Sequence, residues 1–214
     1  MTDTAPAPPK RTRARQQRAE DTRQAILDAA TIEFADNGYD GAATRAVAAR
    51  AGVNQPLVTY HFGSKEGLWR AVIQALIADY RAQYEAHLTE VTDLEPVARL
   101  RVIQEEFIRF SANGTVFHQI MAHVARKPSE QLTWMVEEYL RDVYETRAEL
   151  IRAAQAAGKY VAGDPFHLQY LFLGAVTRIY LLAAEVEQVA GFSPSDPDFL
   201  DEHVRVCLSL FFRD

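Results

Sequence analysis

Cysteine is nearly absent from this chain: among 214 residues there is only Cys207. One cysteine excludes an internal disulfide framework and fits a reducing compartment, so the cytoplasm is the expected location. Long apolar runs are missing too. The most apolar stretch, Leu168 to Ala184, is interrupted by Gln169, Thr177 and Arg178 and falls short of the ~20 residues a bilayer span requires. It is expected to be a buried helix, and no membrane partner is expected. The basic N-terminal stretch has no apolar segment behind it and does not read as a secretory signal. Catalytic signatures are also lacking: there is no G-x-S-x-G, no H-E-x-x-H and no Gly-rich phosphate loop. His118 and His123 point to different helix faces, so no metal site is expected there. The adjacent acids Glu105–Glu106, Glu137–Glu138 and Asp201–Glu202 diverge by ~100° on a helix and cannot face one another. An enzyme is therefore disfavoured, and no cofactor is expected.

What is present is helical periodicity. No run alternates apolar and polar residues for long, whereas a 3.6-residue repeat recurs from Thr22 to the C-terminus, so the fold class is all-α, with about nine helices. The first helix is expected over Asp21–Asn37, with Ile26, Ala29, Ala30 and Phe34 on one stripe and Gly38 as its stop. A short helix follows over Thr44–Ala51, then a turn at Gly52. The next helix has Asn54 as N-cap, Pro56 in its first turn, and Val58 and Phe62 on one face. Ser64 caps a fourth helix of some 25 residues carrying Leu68, Val72, Leu76, Tyr80, Tyr84 and Leu88. Further helices are expected near 96–113, 115–125, 129–157, 165–190 and 198–212. Residues 1–20 read as a disordered basic arm, 21–67 as one domain and 68–214 as a second.

Charge is unevenly distributed between those domains. Residues 1–70 carry 10 Lys/Arg against 8 Asp/Glu, and residues 71–214 carry 13 against 21, giving +2 and −8. The arm's Arg13, Arg15 and Arg18 suit phosphate contacts or insertion into a minor groove. Two short helices joined by a Gly-containing turn match the helix-turn-helix, whose second helix enters the major groove of DNA. With Val47, Val53, Val58 and Phe62 turned inward, Gln55, Thr59, Tyr60 and His61 point outward. Gln pairs with adenine edges, Pro56 or Leu57 can meet a thymine methyl, and Thr, Tyr and His donate to phosphates. The helix starting at Ser64 aims its N–H groups outward beside Lys65, a natural seat for a phosphate.

The segment "ILDAATIEFADNGYDGAATRAVAARAGVNQPLVTYHFGSKEGLWRAVI" resembles the DNA-binding domain of the tetracycline-repressor (TetR) family of bacterial regulators. The resemblance covers about 50 residues, including "F…GY", "A.AGV", "YHF" and "SKE.L". It implies a recognition helix over Asn54–His61 with Gln55 and Pro56 nearest the bases. Tyr60 and His61 would lie on the backbone, with Thr44 and Lys65 on phosphates. The candidate DNA-contacting set is Thr44, Arg45, Asn54, Gln55, Pro56, Leu57, Thr59, Tyr60, His61, Ser64 and Lys65, with Arg13, Arg15 and Arg18 from the arm. The family often has an aromatic where Thr59 stands, and Thr or Ser where Ala42 and Ala43 stand.

The resemblance further implies an all-helical C-terminal domain that binds a small molecule and pairs with a second copy, and a function as a transcriptional regulator, a repressor by expectation, on a palindromic operator. Candidate pocket residues are Phe107, Phe110, Phe117, His118, Met121, Trp134, Tyr139 and Tyr170, which suit a largely apolar or aromatic ligand; each is also a reasonable core residue. Candidate dimer residues are Phe172, Val176, Tyr180, Leu200, Val204, Cys207, Leu208 and Phe211, on two strongly apolar helices that internal burial alone would also explain. Cys207 on that stripe reads as a buried structural thiol. A helical adaptor, or an enzyme using the C-terminal cavity, are the rival functions.

Overall fold

The computed structural model describes residues 10–91 and 94–213, without the side chains of 10–14 and 83–91. Among the described residues there are α-helices α1 (Lys10–Gly41), α2 (Thr44–Arg50), α3 (Gln55–Phe62), α4 (Lys65–Val91), α5 (Pro96–Asn113), α6 (Thr115–Val124), α7 (Glu130–Met135), α8 (Arg141–Ala156), α9 (Pro165–Leu181), α10 (Ala183–Ala190) and α11 (Pro197–Phe211). A π-helical turn, Val136–Leu140, joins α7 to α8. No strand occurs among these residues; one isolated bridge pairs Tyr160 with Phe212.

Two of the expected helices are each divided in the structure. The helix expected over 129–157 is interrupted by the π turn, and the one expected over 165–190 bends by 73° between α9 and α10. No single described helix is long and apolar enough to cross a membrane. A third difference is at the start. Lys10 to Glu20, read from sequence as arm, are helical turns of α1, and the exposed Arg15 and Arg18 stand on that helix. The segment Arg13 to Gln24 holds no proline or glycine and is rich in helix-favouring Arg, Gln and Ala, which is a physical reason for the extension. The rest of the arm, residues 1–9, and the Arg13 side chain lie outside the description.

The chain divides into two compact units, Met1–Leu76 and Ile77–Asp214. The first ends later than the expected boundary at Gly67 because the opening turns of α4 belong to its core. Leu68, Trp69, Val72 and Ile73 are fully or almost fully buried, and the Trp69 ring meets Tyr39 edge-on at 5.8 Å. Ile26, Ala30, Phe34, Val47 and Val58 complete that interior. Gly38, at φ 66°, breaks α1 where a stop was expected and turns the chain toward α2. Gly67 answers a different need, since a Cβ there would lie 2.2 Å from the Phe62 carbonyl oxygen. That absence of a side chain lets α4 start tight against the end of α3.

The second unit is built around α5, α8, α9 and α11. Leu100, Ile108, Ile151, Ala154, Phe172, Val176, Cys207, Leu208 and Phe211 form one continuous cluster. The Val161 N–H donates to the Phe211 carbonyl at 2.8 Å, and the Arg213 N–H to the Lys159 carbonyl at 3.0 Å. These bonds pin the chain end beside Tyr160, whose ring stacks on Phe211.

Candidate functional site

The helix-turn-helix is built by local chemistry that the sequence announces. The Asn54 side chain accepts from the Leu57 N–H at 3.1 Å, capping α3, and Pro56 occupies the first turn, where its missing N–H costs nothing. Ser64 caps α4 in the same way, its Oγ accepting from the Gly67 N–H at 3.0 Å. Val58 is the anchor, buried beneath the helix, while Gln55, Thr59 and Tyr60 are exposed. Ala42, Ala43, Thr44, Arg45, Gln55, Val58, Thr59, Ser64 and Lys65 line one open concavity of about 430 Å³. Six of the eleven candidate DNA-contacting residues outside the arm thus share a single surface.

Within that concavity the Gln55 amide donates to the Thr44 hydroxyl at 3.2 Å. The two helices are therefore tied by a polar pair whose atoms stay accessible to a ligand. Lys65 donates to the Asp40 carbonyl at 3.3 Å and its ammonium stands 5.0 Å from the centre of the Tyr39 ring. Among the described residues it makes no ion pair, and it lines the concavity. Tyr60 is 80% exposed, an unusual posture for an aromatic held on a rigid helix, and its ring meets His61 edge-on at 5.2 Å. Arrangements of this kind offer hydroxyl, amide and cationic donors to an anionic backbone.

One contributor was not legible in the sequence. Glu33 on α1 is buried, and its carboxylate accepts from the Ala43 N–H at 3.3 Å, at the N-terminal end of α2. The contact spans ten residues and has no motif; a carboxylate at a helix start complements the positive dipole end.

The second unit holds a cavity of about 340 Å³. Phe107, Phe117, His118, Met121, Tyr139 and Tyr170, all expected from sequence, line it. Phe110 and Trp134 do not. Phe110 lies behind the wall, packed edge-on against Tyr80 and Phe117 at 4.6 and 5.7 Å, and Trp134 packs against Tyr139 at 5.3 Å. The π turn supplies Val136, Tyr139 and Leu140 to the lining, and α4 supplies Ile77, Tyr80 and Arg81. His118 is the buried polar member. Ser111 donates its hydroxyl to the Phe107 carbonyl at 2.7 Å, so His118 Nε2, 3.0 Å away, is the donor of the pair. Burial pushes the imidazole down to about 4, and it is neutral at pH 7.

Residues 26–72 match the sequence model of bacterial regulatory proteins, tetR family. In these residues the chain resembles the TetR family. It is 26% identical over 183 residues to the HTH-type transcriptional regulator RutR of Escherichia coli K12, covering 85% of this chain and 84% of that protein. Among solved structures it resembles AibR, in complex with isovaleryl coenzyme A and operator DNA, at a TM-score of 0.67 and 21% identity over 89% of this chain and 98% of that one. It also resembles HlyIIR, a hemolysin II transcriptional regulator, at a TM-score of 0.67 and 18% identity over 92% and 99% of the two chains.

The residues expected at a dimer interface are packed into the interior of the second unit. Phe172, Val176, Tyr180, Val204, Cys207, Leu208 and Phe211 are all buried within their own unit, and Leu200 packs partly buried against that core. Cys207 is a structural thiol as expected, and burial pushes it up to about 11. The free apolar surface of the same helices is carried instead by Leu171 on α9 and Val206 and Leu210 on α11, which are 52%, 39% and 54% exposed.

Proposed function

We propose that this TetR-family regulator is a cytoplasmic homodimer that represses transcription from a two-fold symmetric DNA site and is released by a small, largely apolar ligand. The observation that carries the reading is the concavity where Thr44, Arg45, Gln55, Thr59, Ser64 and Lys65 converge, with Lys65 free of any ion pair among the described residues. Gln55 and Pro56 would face base edges, with Leu57 and Asn54 beside them, and Thr44, Tyr60, His61 and Lys65 would hold phosphates. Arg15 and Arg18 would add phosphate contacts from α1. The homodimer would use Leu171, Val206 and Leu210. They stand on α9 and α11, helices that meet where the Ala175 carbonyl and the Cys207 thiol lie 3.9 Å apart, and would supply the apolar part of an isologous contact.

Release would travel along α4. That helix begins at Lys65 and also supplies Ile77, Tyr80 and Arg81 to the cavity wall. A ligand that binds better to one position of α4 shifts the population toward it. The AibR complex shows that a protein of this fold holds both an acyl coenzyme A and operator DNA.

Roles within the DNA surface separate under mutation. Gln55→Ala is expected to narrow the preference between the best duplex and a variant at one position by about 1–3 kcal/mol. Lys65→Ala is expected to weaken every duplex alike and to reduce the slope of log affinity against log salt by about 1. Fluorescence anisotropy across a salt series reads both. Indistinguishable profiles for the two variants contradict the assignment.

A further inference from the structure

The cavity of the second unit is electrically one-sided. Among the described residues Arg81 and Arg147 line it, and no Asp or Glu does. Arg81 is exposed, whereas Arg147 is half-buried against the apolar wall. Its partners are neutral: the guanidinium donates to the Tyr80 hydroxyl at 3.4 Å and lies 5.4 Å from the centre of the Phe107 ring. Among the described residues Arg147 makes no ion pair, while Arg50, Arg70, Arg109 and Arg205 all do. A guanidinium drawn partly out of water and left without an anion gives up solvation that only a weak hydrogen bond and a ring face replace. Its planar fork matches a carboxylate in geometry and charge.

A second observation comes from behind Arg147. A small cavity of about 20 Å³ shares Phe107, Tyr144, Arg147 and Leu173 with the larger one and adds Gln104 and Gln169. Both glutamines are more than nine-tenths buried, and the Oε1 atom of each is buried with no hydrogen-bond partner. The Gln169 amide nitrogen is committed to the Tyr144 carbonyl at 3.0 Å, and that of Gln104 to the Tyr160 hydroxyl at 2.8 Å. Two orphaned acceptors beside a guanidinium call for one small O–H donor, and the space suits one water. The two acceptors and the guanidinium thus line one polar recess that opens on the same side chains as the larger cavity.

We propose that the cavity binds an apolar organic carboxylate, its anionic group on Arg147 and its aliphatic or aromatic body against Phe117, Met121, Tyr139 and Val143. This rests on the reading of the cavity as the ligand site of a ligand-released regulator and assigns that ligand its charge. Among the described residues His118 is neutral and no acid lines the wall, so none of them repels an anion. A cationic ligand meets Arg147 with no compensating carboxylate.

Calorimetry of the full chain with 4-phenylbutyrate, 4-phenylbutanol and 4-phenylbutylamine compares three head groups on one body. The acid is expected to bind roughly ten- to a hundredfold more tightly than the alcohol, the range of a charge-assisted hydrogen bond, and the amine most weakly. Arg147→Gln is expected to erase the preference of acid over alcohol, and Arg147→Lys to keep part of it; a near-ultraviolet dichroism spectrum confirms that each variant is folded. An alcohol that binds as well as the acid, or an acid preference that survives Arg147→Gln, overturns the carboxylate assignment and leaves the cavity a ligand site. If none of the three binds, the ligand reading itself falls, and this inference with it.

Discussion

Phe34→Ala is expected to destabilise the first unit by about 3–5 kcal/mol, enough to lower its thermal midpoint by about 12 °C or more. Phe34 is 1% exposed, and its ring stacks on Tyr39, whose ring in turn meets Trp69 at the start of α4. Truncation therefore opens a cavity under the element that positions α3. The unit is small, Met1–Leu76, and domains hold only about 5–15 kcal/mol in total, so much of its stability would be lost. Ile32 lies on the same helix but is 42% exposed, and Ile32→Ala is expected to change stability by less than about 1 kcal/mol. Circular dichroism melts of the two variants read the difference directly. Equal losses would contradict the placement of Phe34 in the core.

Acid is expected to weaken the second unit through His118. Its folded-state value of about 4 lies below the ordinary 6.5 because burial penalises the imidazolium. A group depressed in this way binds its proton more readily when unfolded, so its contribution to stability is complete above pH 6.5. That contribution is lost progressively as the pH falls toward 4. Between pH 7 and 4.5 the loss attributable to this residue is roughly 2–3 kcal/mol. His203, also held down by burial, acts in the same direction. Guanidinium unfolding at the two pH values, for the protein and for His118→Gln, isolates the effect: the variant is expected to show a shallower pH dependence and a lower stability at pH 7, where it loses the bond to Ser111. An unchanged pH slope in His118→Gln contradicts the assignment.

The parts of the molecule that were legible beforehand are those set by neighbouring residues. Asn54, Pro56, Gly38 and Ser64 act within one turn of their own position, and all perform there the capping, starting or stopping role their chemistry suggests. Composition singled out Phe107, Phe117, His118 and Met121 as pocket candidates without separating a cavity wall from a core. Periodicity could not say what covers a face. The stripe Val204, Cys207, Leu208 and Phe211 is as apolar as a subunit interface, yet Phe172 and Val176 of the same chain enclose it. Arg147 shows the opposite limit. On a helix whose neighbours include Arg141, Asp142, Glu145 and Glu149 it reads as one more solvated charge, and only the approach of α4, α5 and α9 turns it into the wall of a cavity. No local residue announces the π turn at Val136–Leu140 or the bend after Leu181.

The central claim, a dimeric protein that reads one DNA sequence through α3, is tested most directly by selecting bound fragments from genomic DNA at ~0.15 M salt. The account predicts enrichment of one motif with two-fold symmetry, its half-sites about 34 Å apart, one helical turn, or a multiple of that spacing. Recovery of fragments without a shared motif, at an affinity that depends on salt alone, would contradict it.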